Sequence, residues 1–299
     1  MKKIIIVFVC IFICLLSFSQ SLLWEITGKN LKEPSYLYGT VHIQDKRVFS
    51  FDSTVTNVFN KCESFAMEIL LDNVDMAEMQ KSMLMKDNSL DKLLTPAEYA
   101  VADSIFKKKM GMSISLFKNM KPFFLSGMIT EIELQKLASE TMKTSLDMYF
   151  LQMAKAANKK CYEVETFADQ LKMIDDIDLK EQAKMFYEDL TIPVENHTKA
   201  MKILLNCYLT FDWEECFNSL NYENLYDEDY VKEFGKMFEG IFSTQRNHNM
   251  TKSLIEIMKT QTCFCAVGAL HLLDEEGIIE LLRKEGYTVN PIKFSWKNK

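Results

Sequence analysis

Strand-like segments crowd both ends of this 299-residue chain, and a long helix-patterned stretch lies between them. Residues 22–27 alternate weakly, Gly28-Lys29-Asn30 supplies a turn, and residues 35–40 read as the returning strand of a hairpin. At the other end, residues 262–267 form an apolar strand and residues 287–292 a second. Asp274 is the expected N-cap of a helix between them that buries Ile278, Leu281 and Leu282, with Gly286 as its stop. Two more short strands are expected at residues 64–69 and 160–165. The middle, about residues 73–260, is otherwise helical. A helix starts at Thr95-Pro96, residues 125–157 make one long helix or two, and breaks fall near Thr191-Ile192-Pro193 and at residues 218–229. Only 9 Gly and 5 Pro occur, too few for a turn-rich β-sandwich, while 19 Met and 21 Phe can fill a large core. The expected fold is α+β. A mixed central sheet is built from the N- and C-terminal segments and flanked by helices, within a single domain over residues 20–299.

Residues 1–19 read as an address. Lys2 and Lys3 precede an apolar run at residues 4–16, and Ser17, Phe18, Ser19 and Gln20 follow, the pattern of a cleaved signal peptide. The run is shorter than the ~20 residues of a spanning helix. Membrane contact is therefore expected only through this segment, if it stays uncleaved. Cys10 and Cys14 lack the small residue expected before a lipidated cysteine. The mature chain is expected in a periplasm or outside the cell, where disulfides are permitted. Cys161, Cys263 and Cys265 nevertheless lie in apolar runs and read as buried thiols. No zinc-finger spacing occurs. A net charge of −7 lacks the field that duplex nucleic acid requires, so no nucleic-acid partner is expected. The densest basic run, Lys107-Lys108-Lys109, reads as a solvated helix face.

The chemistry-bearing residues are few. Of four histidines, two end strands in the same way: Gly39-Thr-Val-His42 and Gly268-Ala-Leu-His271. Strand ends in open α/β sheets are where sites form, and a glycine three residues earlier permits a tight turn or a close approach. Such a pair suits metal ligation or general base chemistry as well as a structural role. Glu68 and Glu165 end the two middle strands, and a carboxylate late in an apolar strand needs a partner. Glu163 shares a face with Glu165, while Glu63 belongs in solvent. Arg246 aligns with Met250, Leu254 and Ile257 and so faces inward, toward an anion. His248 falls on the opposite face, and His197, beside Glu195 and Asn196, is expected at the surface. Nucleotide loops, His-Glu-x-x-His and the Gly-x-Ser-x-Gly elbow are absent.

Five segments occur in an order that resembles the TraB/GumN family, related to the TIKI metalloproteases and more distantly to erythromycin-esterase-like hydrolases. They are Leu37-Tyr-Gly-Thr-Val-His42, Met67-Glu68, Val164-Glu-Thr-Phe-Ala-Asp-Gln-Leu171, Arg246-Asn247 with Met250, and Ala266-Val-Gly-Ala-Leu-His-Leu272. The resemblance implies an α+β fold with a large helical region between the two Gly-x-x-His motifs. It also implies a hydrolase site of two histidines, glutamates and an arginine, and metal-dependent peptidase activity in the TIKI branch.

Both lines of reasoning select the same residues. His42 and His271, with Glu68 or Glu165, are expected to hold a divalent cation such as zinc, manganese or cobalt. The remaining glutamate would carry a proton and Arg246 would steady an oxyanion, with a peptide or small ester as substrate. A metal-free scheme uses the same side chains. So does a non-catalytic exported protein that captures a ligand, a peptide or haem iron, or inhibits a partner.

Overall fold

The computed structural model describes residues 21–137, 142–212 and 244–297. The expected leader, the break at residues 218–229, and Cys10, Cys14 and Cys216 lie outside the described residues. The hairpin forms as read: β1 (Leu23–Thr27) runs antiparallel to β2 (Ser35–Thr40). Next come α1 (Ser53–Lys61), β3 (Ser64–Met67), α2 (Met76–Ser82), α3 (Leu90–Leu93) and α4 (Pro96–Met110). They are followed by α5 (Pro122–Leu137), α6 (Leu146–Ala156), β4 (Lys160–Glu163), α7 (Phe167–Asp175), α8 (Leu179–Thr191) and α9 (Val194–Thr210). The chain ends in α10 (Thr244–Met258), β5 (Cys263–Gly268), α11 (Ile278–Lys284) and β6 (Thr288–Ile292).

The six strands form one mixed sheet in the order β4-β3-β5-β2-β1-β6. Its four strands β4, β3, β5 and β2 are mutually parallel, and β1 pairs antiparallel with β2 and β6. The fold is therefore α+β, with both chain ends woven into one sheet and two strands contributed from the middle. Alternation sends successive side chains to opposite faces. Tyr36, Tyr38, Phe264 and Ala266 pack on one face beneath α1, α6 and α9. Leu37, Cys263, Cys265 and Val267 pack on the other beneath α10 and α11. Phe150 of α6 anchors the first core, with ring centroids 5.1–5.8 Å from Phe264, Tyr38, Phe51 and Phe59. A separate helical core joins Phe106 of α4, Leu125 of α5 and Phe186 of α8. Among the described residues no helix is long and apolar enough to cross a membrane.

Local signals act where they were expected. Thr95 and Glu98 close a capping box that starts α4, and residues 125–157 divide between α5 and α6. Cys263 and Cys265 are buried free thiols and Cys161 is a half-buried one, while Cys207 is disulfide-bonded. Four expectations need correction. The two middle strands end at Met67 and Glu163, short of their glutamates, because the chain turns there toward the site. The N-cap of α11 is Gly277 rather than Asp274, which adopts a left-handed φ of 68° in the preceding turn. Lys109 bends inward to pair with Glu133 of α5, so only part of the triple-lysine run is solvated. His197 is buried rather than exposed. Its Nδ1 lies 3.3 Å from Glu133 Oε2 and its Nε2 3.0 Å from the Asp189 carbonyl. At ~100° per residue, its polar neighbours Glu195 and Asn196 point elsewhere and say little about its own face.

Gly39 is required by close approach rather than by a turn. A Cβ there would lie 2.9 Å from Leu272 Cδ1 and 3.0 Å from Ala269 Cα. Gly39→Ala is expected to cost ~1–3 kcal/mol through overpacking. Gly127, exposed in α5 with nothing within 4 Å of a Cβ, serves as the comparison. There alanine should stabilise by ~0.4–1 kcal/mol. Urea unfolding of the two variants reads the contrast, and equal effects would contradict it.

Candidate functional site

The carboxyl ends of the four parallel strands line up the sequence candidates. From one side to the other they are Glu165 after β4, Glu68 after β3, His271 in the short 3₁₀ turn after β5, and His42 after β2. Register explains the meeting of residues so distant in sequence, because Thr40 pairs with Gly268 and Met67 with Ala266. Parallel strands deliver all their carboxyl ends to one edge, the usual place for a site in such sheets.

Arg246, in the first turn of α10, reaches this edge from the second core. Its Nε donates to Glu165 Oε1 at 2.7 Å and its Nη2 to Glu165 Oε2 at 2.6 Å, a two-pronged pair between buried groups. Nη2 also lies 3.4 Å from Glu68 Oε2. Burial alone would lower the Arg246 pKa, and Glu165 and Glu68 together more than offset it, so the group stays charged. Glu68 accepts the Gly268 backbone N–H on Oε1 at 2.7 Å, and Gly268 leaves room, since a Cβ there would meet that oxygen at 3.3 Å. Gln170 bridges the two carboxylates, donating to Glu165 Oε2 at 2.9 Å and to Glu68 Oε2 at 3.2 Å. It is aimed by the Thr166–Asp169 capping box that starts α7 immediately after Glu165.

The two imidazoles differ in environment. His271 is only 2% exposed, and burial, with Arg246 adding, lowers its pKa to about 4, so it is neutral at physiological pH. Its Nδ1 lies 2.7 Å from Asn247 Oδ1, while the Asn247 amide donates to the Glu276 carbonyl at 2.9 Å. Asn247 therefore accepts from Nδ1–H, and Nε2 is the unprotonated nitrogen, 3.9 Å from Glu68 Oε1. His42 has a ring 68% exposed, and its Nδ1 lies 3.0 Å from Oδ2 of Asp147. The Asp147 carboxylate raises the His42 pKa to about 9, with Glu68 and Glu131 adding from further off. Burial would raise the Asp147 pKa, but His42 and the Thr40 hydroxyl donating to Oδ1 bring it below the ordinary value.

Asp147 was not singled out by sequence reasoning, and Asn247 and Gln170 entered only within the segments of the family resemblance, with no role given to them. Asp147 sits in the first turn of α6, where an acidic residue ordinarily favours the helix dipole from the surface. Asn247 carries a faint signal, since it and Thr251, four residues on, are both buried on α10. His248 lies outside the site, as expected, and pairs with Glu276 at 3.0 Å. Glu163, though beside the site, accepts the Leu70 N–H at 3.2 Å, and Glu63 is exposed.

The donor chemistry suits a divalent cation: His271 Nδ1 bonds Asn247, His42 Nδ1 lies at ion-pair distance from Asp147, and Nε2 is the nitrogen of each ring on the side away from that partner. Two metal–ligand bonds of ~2.0–2.2 Å span at most about 4 Å, so the 3.9 Å between His271 and Glu68 lies at the outer edge of that reach. Among the described residues, no three His, Cys, Asp or Glu side chains are drawn together as a ready-made cage. Instead both glutamates engage Arg246 and Gln170.

A sequence profile described as the TraB/PrgY/gumN family matches residues 22–291. Among curated proteins, the chain is 20% identical to metalloprotease TIKI2 of Danio rerio, over 94% of this chain and 64% of that protein. It is 22% identical to metalloprotease TIKI1 of the same organism, over 90% of this chain and 63% of the relative. For a metalloprotease TIKI homolog of Amphimedon queenslandica the identity is 20%, over 91% and 61%. The chain thus spans less than two thirds of each relative's own length. No solved structure matches it. The profile covers both Gly-x-x-His turns and every strand-end residue described above, and the chain belongs to the TraB/PrgY/gumN family.

Proposed function

We propose that this protein is an exported, metal-dependent hydrolase that directs activated water at a peptide or small ester carbonyl. The observation that carries the reading is the pair of imidazoles at neighbouring strand ends, each with Nδ1 against a buried polar side chain, with Glu68 between them and Arg246. A bound divalent cation would supply hydroxide near neutral pH by lowering the pKa of water to ~7. His271 would hold it through Nε2, and so would His42 once the ion has displaced its Nε2 proton. Glu68 either completes the ligand set or takes the proton from water, and both roles need its carboxylate. Glu165 has a different task in this scheme. Locked onto Arg246, it orients the guanidinium whose Nη2 also approaches Glu68. That cation would steady the negative charge growing on a carbonyl oxygen. The named metalloprotease relatives support the metal, and the leader-like start and the disulfide at Cys207 support export.

One observation favours a metal-independent variant. The Asp147–His42 pair resembles the orienting half of an acid–base relay, with the largely exposed His42 ring as the proton carrier. Metal content separates the two. Purified protein is expected to carry close to one equivalent of zinc, manganese or cobalt by elemental analysis. Turnover of fluorogenic peptide and p-nitrophenyl ester panels should fall on chelation and return on adding the same ion. Full activity in chelated, metal-free protein would select the variant, and no turnover of either panel would set aside both.

A further inference from the structure

We propose that Asp147, aimed by the Thr40 hydroxyl, fixes the ring proton of His42 on Nδ1 and so makes Nε2 the reactive nitrogen. Its purpose rests on the hydrolase reading above, but the placement of the proton is testable without it. Asp147 is 4% exposed on the first turn of α6, with Phe150 and Leu151 of the next turn deep in the aromatic core. A carboxylate in such a place is costly unless paired, and packing alone would be better served by an apolar residue. Its two oxygens are divided between two partners. Oδ1 receives the Thr40 hydroxyl from the last residue of β2, and Oδ2 faces His42 Nδ1 at 3.0 Å. Oδ2 makes no aligned hydrogen bond at this ring angle, and an ionised carboxylate can only accept one, so a small rotation of the imidazole that turns an Nδ1 hydrogen toward it would satisfy the buried oxygen. The other acidic groups acting on His42 do so at longer range, Glu68 from just beyond β3 and Glu131 from α5. Glu131 accepts from Gln44 at 2.8 Å. His42 itself lies beyond the strand with a largely exposed ring, so the contact with Asp147 is what sets its orientation.

The division of oxygens predicts what asparagine would do at this position. The Thr40 hydroxyl would keep the amide oxygen and turn the amide NH₂ toward His42. Nδ1 would then have to accept, and the proton would move to Nε2. Nitrogen–proton correlation spectra of the imidazoles in the full chain without metal read this directly. They should be recorded at alkaline pH, where the imidazole is neutral, with the resonances assigned by His42→Gln. Wild type should show Nδ1–H, Asp147→Asn should show Nε2–H, and Thr40→Val with Asp147→Asn should restore Nδ1–H by freeing the amide to flip. A wild-type proton on Nε2, or an Asp147→Asn spectrum like wild type, overturns the proposal. The wild-type result needs no variant of Asp147 or Thr40 to fold, since His42→Gln, at an exposed ring, serves only for assignment. In a second arm, zinc affinity measured against a chromophoric chelator should weaken ~10–100-fold in Asp147→Asn and be unchanged in Glu131→Gln. Equal affinities in wild type and Asp147→Asn would also count against it. A wild type that binds no zinc removes the metal reading of the function, and the spectra then decide the role of Asp147 alone.

Discussion

Replacing Arg246 by alanine is expected to destabilise the protein by ~3–5 kcal/mol, the cost of leaving a buried charge without its partner. The side chains of Arg246 and Glu165 are 9% and 1% exposed, and two hydrogen bonds of 2.7 and 2.6 Å join them. Removing the guanidinium leaves Glu165 inside the protein with only Gln170 to satisfy it, and Glu68 loses its nearest cation. Lysine at 246 should recover part of the loss. An ammonium supplies the charge as a single point and cannot match the carboxylate with two parallel bonds. A double replacement, Arg246→Ala with Glu165→Gln, should be less damaging than Arg246→Ala alone, because it removes the orphaned charge together with its partner. Urea unfolding of the three variants gives the comparison. A loss below ~1 kcal/mol for Arg246→Ala would place the pair among weak surface bridges and undo the view that it holds the site together.

The residues that were legible in the sequence share a physical reason. His42 and His271 follow strands whose apolar alternation is local, and Gly-x-x-His marks where each strand stops. Arg246 betrayed itself because three apolar residues at helical spacing fix its face. Both signals come from periodicity within one element. Asp147 carries no such signal, since its role arises only when α6 crosses the end of β2, more than a hundred residues away. His197 misled for a related reason. Sequence neighbours on a helix lie on different faces, and the buried face of α9 is chosen by α5 and α8. The failed N-cap at Asp274 is a local competition, in which a 3₁₀ turn and a left-handed residue delay the helix until Gly277. The division of labour between the two glutamates was equally hidden. Glu165 and Glu68 look alike as strand-end acids, and only the guanidinium distances separate a locked carboxylate from one that is loosely held.

That difference sets the largest expected effect on activity. Glu68→Gln is expected to lower turnover ~10²–10⁴-fold, the range for removing a group that moves a proton in the transition state. The fold should survive it. The amide oxygen can keep the Gly268 N–H bond of 2.7 Å, and the Arg246–Glu165 pair is untouched. The cost falls on Oε2. There an NH₂ would oppose Arg246 Nη2, now 3.4 Å away, and the Gln170 amide, now 3.2 Å away, two contacts that are long and individually weak. A stability loss near ~1 kcal/mol is the scale expected for such bonds. Metal content of the variant then assigns the role. A carboxylate that takes a proton from water leaves the ion in place when it becomes an amide, so an inactive protein with its metal retained identifies Glu68 as the base. A carboxylate that ligates takes the metal with it, so loss of ion and activity together identifies Glu68 as a ligand. Turnover equal to wild type would exclude both roles and move the chemistry away from the strand-end glutamate. Peptide binding that persists in wild type and variant alike, with turnover in neither, would mark this edge of the sheet as a capture site.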